Sequence, residues 1–270
     1  TYFETLSKHD KAMLSVAIRD KGKLVYSKQI GFSDVEKQTT INSESVFRVG
    51  SISKTYTAVA IMRLVEMKKL SLSDTISKYF PKLPNAEKIT IEHLLNHRSG
   101  IFSFTSDAAY LEYMTQAQTK KAMVKRITDF ESQFEPDSQH QYSNSNYLLL
   151  SYIIEDVTKQ DFSSAMEQLI FTPLKLERTS IGAEINNTNN EVNSYEFKNG
   201  WQKSYETDMS IPLGAGSVIS TAKDTSLFMH KLFRNEILTE SNVHKMMSLK
   251  DNYGFALMLF PFYDKTLLGY

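Results

Sequence analysis

The chain has 270 residues, 41% hydrophobic and 23% charged, the composition of a globular protein long enough to bury a core. Lys and Arg number 31 and Asp and Glu 31, so the net charge is zero and no basic run offers a footprint for nucleic acid. Cysteine is absent, which excludes disulfides, thiol nucleophiles and thiolate metal sites.

In chain order, Ala12 to Arg19 and Leu24 to Ile30 are β-rich runs around the turn residues Asp20-Lys21-Gly22-Lys23, which predicts a hairpin. Ser53 to Leu70 is the strongest helix. Its apolar residues, from Ala58 to Met67, cover most of the circumference, the pattern of a buried helix. Thr90 to His97 is a short helix with Thr90 as N-cap and Gly100 as stop signal. Ala108 to Phe130 reads helical and polar, and Asn146 to Lys159 and Phe162 to Phe171 read as two further helices. Glu184 to Ser204 is Asn-rich and aperiodic, a long loop with at most one strand. Helices over Thr225 to Phe233 and Glu240 to Ser248 and a strand over Tyr253 to Phe260 follow.

The longest apolar stretch, around Tyr147 to Ile154, is too short to span a bilayer, and no basic-then-apolar leader begins at Thr1. Gly214-Ala215-Gly216 lacks the third glycine of a dinucleotide fingerprint, and no glycine-rich stretch ends in Gly-Lys-Ser/Thr, so no nucleotide cofactor is expected.

Ser51-Ile52-Ser53-Lys54 is a Ser-x-x-Lys motif. At helical spacing its hydroxyl and amine share a face, and a buried lysine loses proton affinity and can serve as a base for an acyl-accepting serine. The motif recurs once, at Ser220-Thr221-Ala222-Lys223. There the following helix is amphipathic and Thr221-x-x-Asp224 reads as a capping box, so Ser220 and Lys223 read as cap and surface. Ser51 instead opens the most buried helix; catalysis and simple N-capping are both open to it. Tyr142-Ser143-Asn144 is a Tyr-x-Asn element in a loop before an apolar helix, for which Asx capping is the plain alternative. His93 and His97 have metal-ligand spacing, but His-Glu-x-x-His and a third ligand are lacking, so no metal is expected. No Asp/Glu pair stands out for glycoside hydrolysis.

Taken together, four phrases resemble the serine β-lactamase and penicillin-binding protein family, closest to its class C, D-alanyl-D-alanine carboxypeptidase and esterase branch. They are Phe47 to Thr55, Ile91 to Gly100, Tyr142 to Tyr147 and Gly214 to Asp224, in the family's order and spacing. The resemblance implies an α+β fold: an antiparallel sheet flanked by helices, over residues 1–75 and 205–270, with a mainly helical domain inserted over residues 76–204. It implies Ser51 as nucleophile, Lys54 and Tyr142 as the base, and Asn144 orienting the substrate amide and Lys54. It implies no cofactor. The substrate would be a D-alanyl peptide, an ester or a β-lactam, met in the periplasm or outside the cell. A dedicated class C-like β-lactamase is the nearest alternative, and a non-catalytic binding or scaffold protein is the alternative of another class.

One family element has no match. The Lys/His-x-Gly motif of a late core strand is absent, and Lys265-Thr266-Leu267 lacks the glycine. The expectation is that the last core strands are missing from this chain, by truncation in preference to inactivity or to completion of the sheet by a second polypeptide.

Overall fold

The computed structural model describes residues 2–270. Helix α1 (Tyr2–Lys8) precedes the hairpin of β1 (Leu14–Asp20) and β2 (Lys23–Ile30). Lys21 and Gly22 both take positive φ, at 46° and 83°, the turn geometry that matches strand twist. A small hairpin of β3 (Phe32–Asp34) and β4 (Thr39–Thr40) leads to β5 (Phe47–Arg48). Then comes α2 (Ser53–Glu66). Every residue from Ser53 to Met62 on α2 is buried, as its all-round apolar surface predicts.

Helix α3 (Ile91–Leu95) starts where Thr90 Oγ1 accepts the His93 N–H at 3.2 Å while His93 Nδ1 accepts the Thr90 N–H at 3.3 Å. The single polar helix expected over Ala108 to Phe130 is two pieces, α4 (Tyr110–Tyr113) and α5 (Lys120–Thr128). Tertiary bonds hold the break open. Asp208 N–H donates to Met114 O (2.8 Å) and Gln118 N–H to Ser210 Oγ (2.8 Å), and Thr119 caps α5. Helix α6 (Asn144–Thr158) is buried from Ser145 to Ile154 and packs against α2. Helices α7 (Phe162–Met166) and α8 (Thr172–Leu174) flank one π-helical turn.

Strand β6 (Ser180–Ile181) precedes a third hairpin, β7 (Tyr195–Phe197) and β8 (Trp201–Lys203), inside the stretch read as loop. Strand β9 (Val218–Ser220) pairs antiparallel with both β5 and β6, joining distant parts of the chain. Thr221 then caps α9 (Ala222–Phe233), which packs on β1, and α10 (Glu240–Met247) follows. The architecture is the expected α+β one, antiparallel strand pairs flanked by helices.

One part of that expectation is corrected. The C-terminal strands are present: β10 (Met258–Phe262) and β11 (Lys265–Gly269) form an antiparallel hairpin in register from Met258↔Gly269 to Phe262↔Lys265. Pro261 disguised it, since proline in a run argues against a strand unless it lies at an edge. Lys265-Thr266-Leu267 thus lies within a strand.

The turn before β9 approaches α2 and α6 closely. A Cβ on Gly214 would stand 2.7 Å from Tyr147 O and 3.0 Å from the Thr57 side chain, so only glycine lets this backbone pass. Gly214→Ala is expected to destabilise the fold by about 1–3 kcal/mol in urea unfolding, by overpacking. A variant as stable as the parent would contradict this close approach.

Candidate active site

Val49 N–H donates to Val218 O (3.1 Å), which fixes the chain at the end of β5. Gly50, at φ 54°, then turns it into a single 3-10 turn over Gly50–Ile52 that runs into α2. Nothing would meet a Cβ at Gly50, so conformation rather than space favours glycine there. Ser51 sits in this turn with Lys54 one helical step on. Ser53 anchors the same turn, its Oγ accepting the Val218 N–H at 3.0 Å.

Lys54 is fully buried. Its Nζ donates to Ser51 Oγ (3.0 Å) and to Ala215 O (2.8 Å), and among the described residues no carboxylate pairs with it. Burial alone lowers its pKa from 10.5 to about 7. A substantial share of this amine is therefore unprotonated at neutral pH and can accept a proton.

Tyr142 completes the group. Its hydroxyl lies 2.8 Å from Ser51 Oγ, and its ring centroid lies 4.8 Å from Lys54 Nζ. Tyr270, just past β11, brings its own hydroxyl to 3.0 Å from that of Tyr142. Ser51 and Asn144 line a cavity of about 290 Å³ together with Thr105, Tyr110, Tyr205 and Gly216. An ion pair between Arg48 and Glu206 (3.0 Å) stands between it and a neighbouring cavity of about 640 Å³, since both residues line both spaces.

The structure thus brings Ser51, Lys54 and Tyr142 within hydrogen-bond reach. Asn144 is on the cavity wall, but its Nδ2 donates to Thr105 Oγ1 (2.9 Å), and the partners of Lys54 are Ser51 and Ala215. In the second Ser-x-x-Lys pair the surface lysine and the Thr221 cap are as read, and only Ser220 differs. Ser220 is buried in β9 and hydrogen-bonded to Thr179 Oγ1 (2.8 Å), Thr221 is the cap, and Lys223 pairs with Glu44 (3.0 Å). His93 serves the α3 cap, whereas His97 is buried beside Tyr142, so the two rings do separate work. The roles of Ala215 and Tyr270 were not foreseen: one acts through a carbonyl any residue has, the other through a strand register.

A profile of the beta-lactamase family matches residues 2–258. The chain belongs to the beta-lactamase family. It is 29% identical over 263 residues to a teichoic acid D-alanine hydrolase of Staphylococcus aureus, an alignment covering 94% of this chain and 63% of that relative. The chain therefore spans less than two thirds of that relative's length. Among solved structures it resembles a D-amino acid amidase from Ochrobactrum anthropi SV3, with a TM-score of 0.85 and 26% identity over 99% of this chain and 82% of the other. It also resembles the octameric penicillin-binding protein homologue of Pyrococcus abyssi, with a TM-score of 0.83 and 25% identity over 100% of this chain and 66% of the other.

The burial of Lys54 sets a prediction for Lys54→Met. Between about 7 and 10.5 the unfolded chain holds a proton on this amine that the folded chain lacks, so this group makes parent stability rise with pH across that window. The variant should therefore gain most in thermal stability over the parent at about pH 6, and the gain should fade towards pH 10.5 as the lysine becomes neutral in both states. Reactivity of Ser51 towards an acylating reagent should fall by about 10²–10⁴-fold. A variant less stable than the parent throughout would contradict the uncompensated burial.

Proposed function

We propose that the chain is a serine hydrolase that forms an acyl-enzyme on Ser51, acting on D-alanyl esters, amides or peptides. The observation that carries this reading is that Ser51, on the wall of a cavity, is hydrogen-bonded to both Lys54 and Tyr142. The names of the relatives, a D-alanine hydrolase and a D-amino acid amidase, support the acyl class.

In the proposed reaction, neutral Lys54 takes the Ser51 proton as Oγ bonds to the carbonyl carbon. The carbonyl π electrons move to oxygen, and the resulting oxyanion is held in part by the backbone N–H of Ser51, where the start of α2 favours negative charge. Collapse breaks the bond to the leaving group, which receives a proton from the Lys54–Tyr142 pair. Water then attacks the acyl carbon, giving its proton back through the same pair, and Ser51 is released with its own proton restored. Asn144 holds the substrate amide or amine at the cavity wall, and the neighbouring cavity gives room for the longer side of a substrate.

Such a substrate belongs outside the cytoplasm, and a periplasmic or extracellular site of action is part of the proposal. Among the described residues no helix is long and apolar enough to cross a membrane.

Labelling with a fluorophosphonate followed by peptide mapping tests the reading. A single adduct on Ser51 is expected, and none in Ser51→Ala at an unchanged melting temperature. In a substrate panel, D-alanyl esters should turn over faster than a chromogenic cephalosporin. Absence of any adduct would point to a scaffold, and the reverse order of substrates to a dedicated β-lactamase.

A further inference from the structure

Tyr142 is carried by a stretch without regular structure between α5 and α6, yet its hydroxyl must stay within hydrogen-bond reach of Ser51. We propose that His97 is the positioning residue that holds Tyr142 in place, by binding the backbone on both sides of it and covering its ring. The assignment rests on the reading of Ser51 and Tyr142 given above.

Residues 97–100, after α3, are hydrogen-bonded to residues 133–143 in a series. Gln133 N–H donates to Gly100 O (2.8 Å), Asp137 N–H to Arg98 O (2.8 Å) and Gln141 N–H to His97 O (2.9 Å). The last rung belongs to the imidazole: Ser143 N–H donates to His97 Nδ1 at 3.3 Å. One residue therefore takes the N–H before Tyr142 with its carbonyl and the N–H after it with its side chain. Its ring lies 4.6 Å from that of Tyr142, and the rings of Tyr147 and Tyr253 pack beside it at 5.2 and 5.0 Å. To do this His97 adopts φ 58°.

The neighbouring amide fixes where the imidazole proton sits. Ser99 Oγ donates to Asn146 Oδ1 (2.7 Å), so the Asn146 amide nitrogen is the atom facing His97 Nδ1, at 3.1 Å. Both neighbours of Nδ1 are then N–H donors. Nδ1 must carry the lone pair, and the ring is the neutral tautomer with its hydrogen on Nε2. Full burial and the nearby Lys54 amine both disfavour the imidazolium. A phenylalanine would fill the space but leave two buried N–H groups unpaired, and a carboxylate would bring a charge into a buried site.

The test compares two substitutions in the full chain. His97→Asn retains an acceptor on the γ carbon where Nδ1 stood and tolerates positive φ. His97→Phe retains a ring and loses the acceptor. The readouts are the rate of fluorophosphonate labelling at Ser51 and steady-state ester hydrolysis. His97→Phe should lower kcat and the labelling rate by about 100-fold, with KM within about twofold, because misplacing a reacting group by ~1 Å costs that much. His97→Asn should recover to within about tenfold of the parent. Equal rates in His97→Phe and parent, or an Asn variant as slow as the Phe one, would overturn the assignment. A parent that does not label at Ser51 would overturn the hydrolase reading, and the role of His97 with it. If His97→Phe does not fold, the imidazole ¹⁵N spectrum of the parent decides. A bare Nδ1 with Nε2 protonated supports the assignment, and a protonated Nδ1 overturns it.

Discussion

An amine buried with no counter-charge is the constraint on which the site depends. Lys54 has no solvent exposure, and its two hydrogen-bond partners, a serine hydroxyl and a backbone carbonyl, are neutral. Water would solvate the ammonium better than these two oxygens do, so folding pushes the group towards its neutral form. That is unfavourable for stability and useful for proton transfer. The surrounding structure has to offset the cost, and the burial of α2 from Ser53 to Met62 and of α6 from Ser145 to Ile154 supplies apolar area for doing so.

Three distant parts of the chain meet at this amine, and a fourth reaches the group through Tyr142. Ser51 comes from the turn before α2, Tyr142 from the stretch before α6, Ala215 O from the turn before β9, and Tyr270 from beyond β11. Each is placed by something outside the site. Ser53 Oγ ties α2 to β9, Gly214 permits the close approach that brings Ala215 O to Lys54, and β5 and β6 fix β9 between them. The nucleophile candidate is therefore on a rigid, central element, while Tyr142 reaches it from an irregular segment pinned to residues 97–100.

What the sequence made legible follows from how local each signal is. The turn at Lys21-Gly22, the Thr90 cap and the all-round apolar surface of α2 are written within a few residues, and each is present in the fold. The Ser51–Lys54 contact needs only helical spacing. The break between α4 and α5 was not legible, because it is held by Asp208 and Ser210, some ninety residues on in the chain. The β10–β11 hairpin was hidden by Pro261, which sits opposite Thr266 in a two-stranded pair where a missing N–H costs little. The same non-locality hid Tyr270. Its hydroxyl reaches Tyr142 only because of the register of that hairpin, and a shift of one residue would turn it away.

The central claim, that burial leaves a substantial share of Lys54 neutral near pH 7, is best tested by titrating its amine directly in ¹³C-lysine-labelled protein, with Lys54→Arg used to assign the resonance. The account predicts a midpoint of about 7 for this one lysine. A midpoint at the ordinary value of about 10.5 would mean that water or an anion reaches the amine, and that Lys54 is not the base.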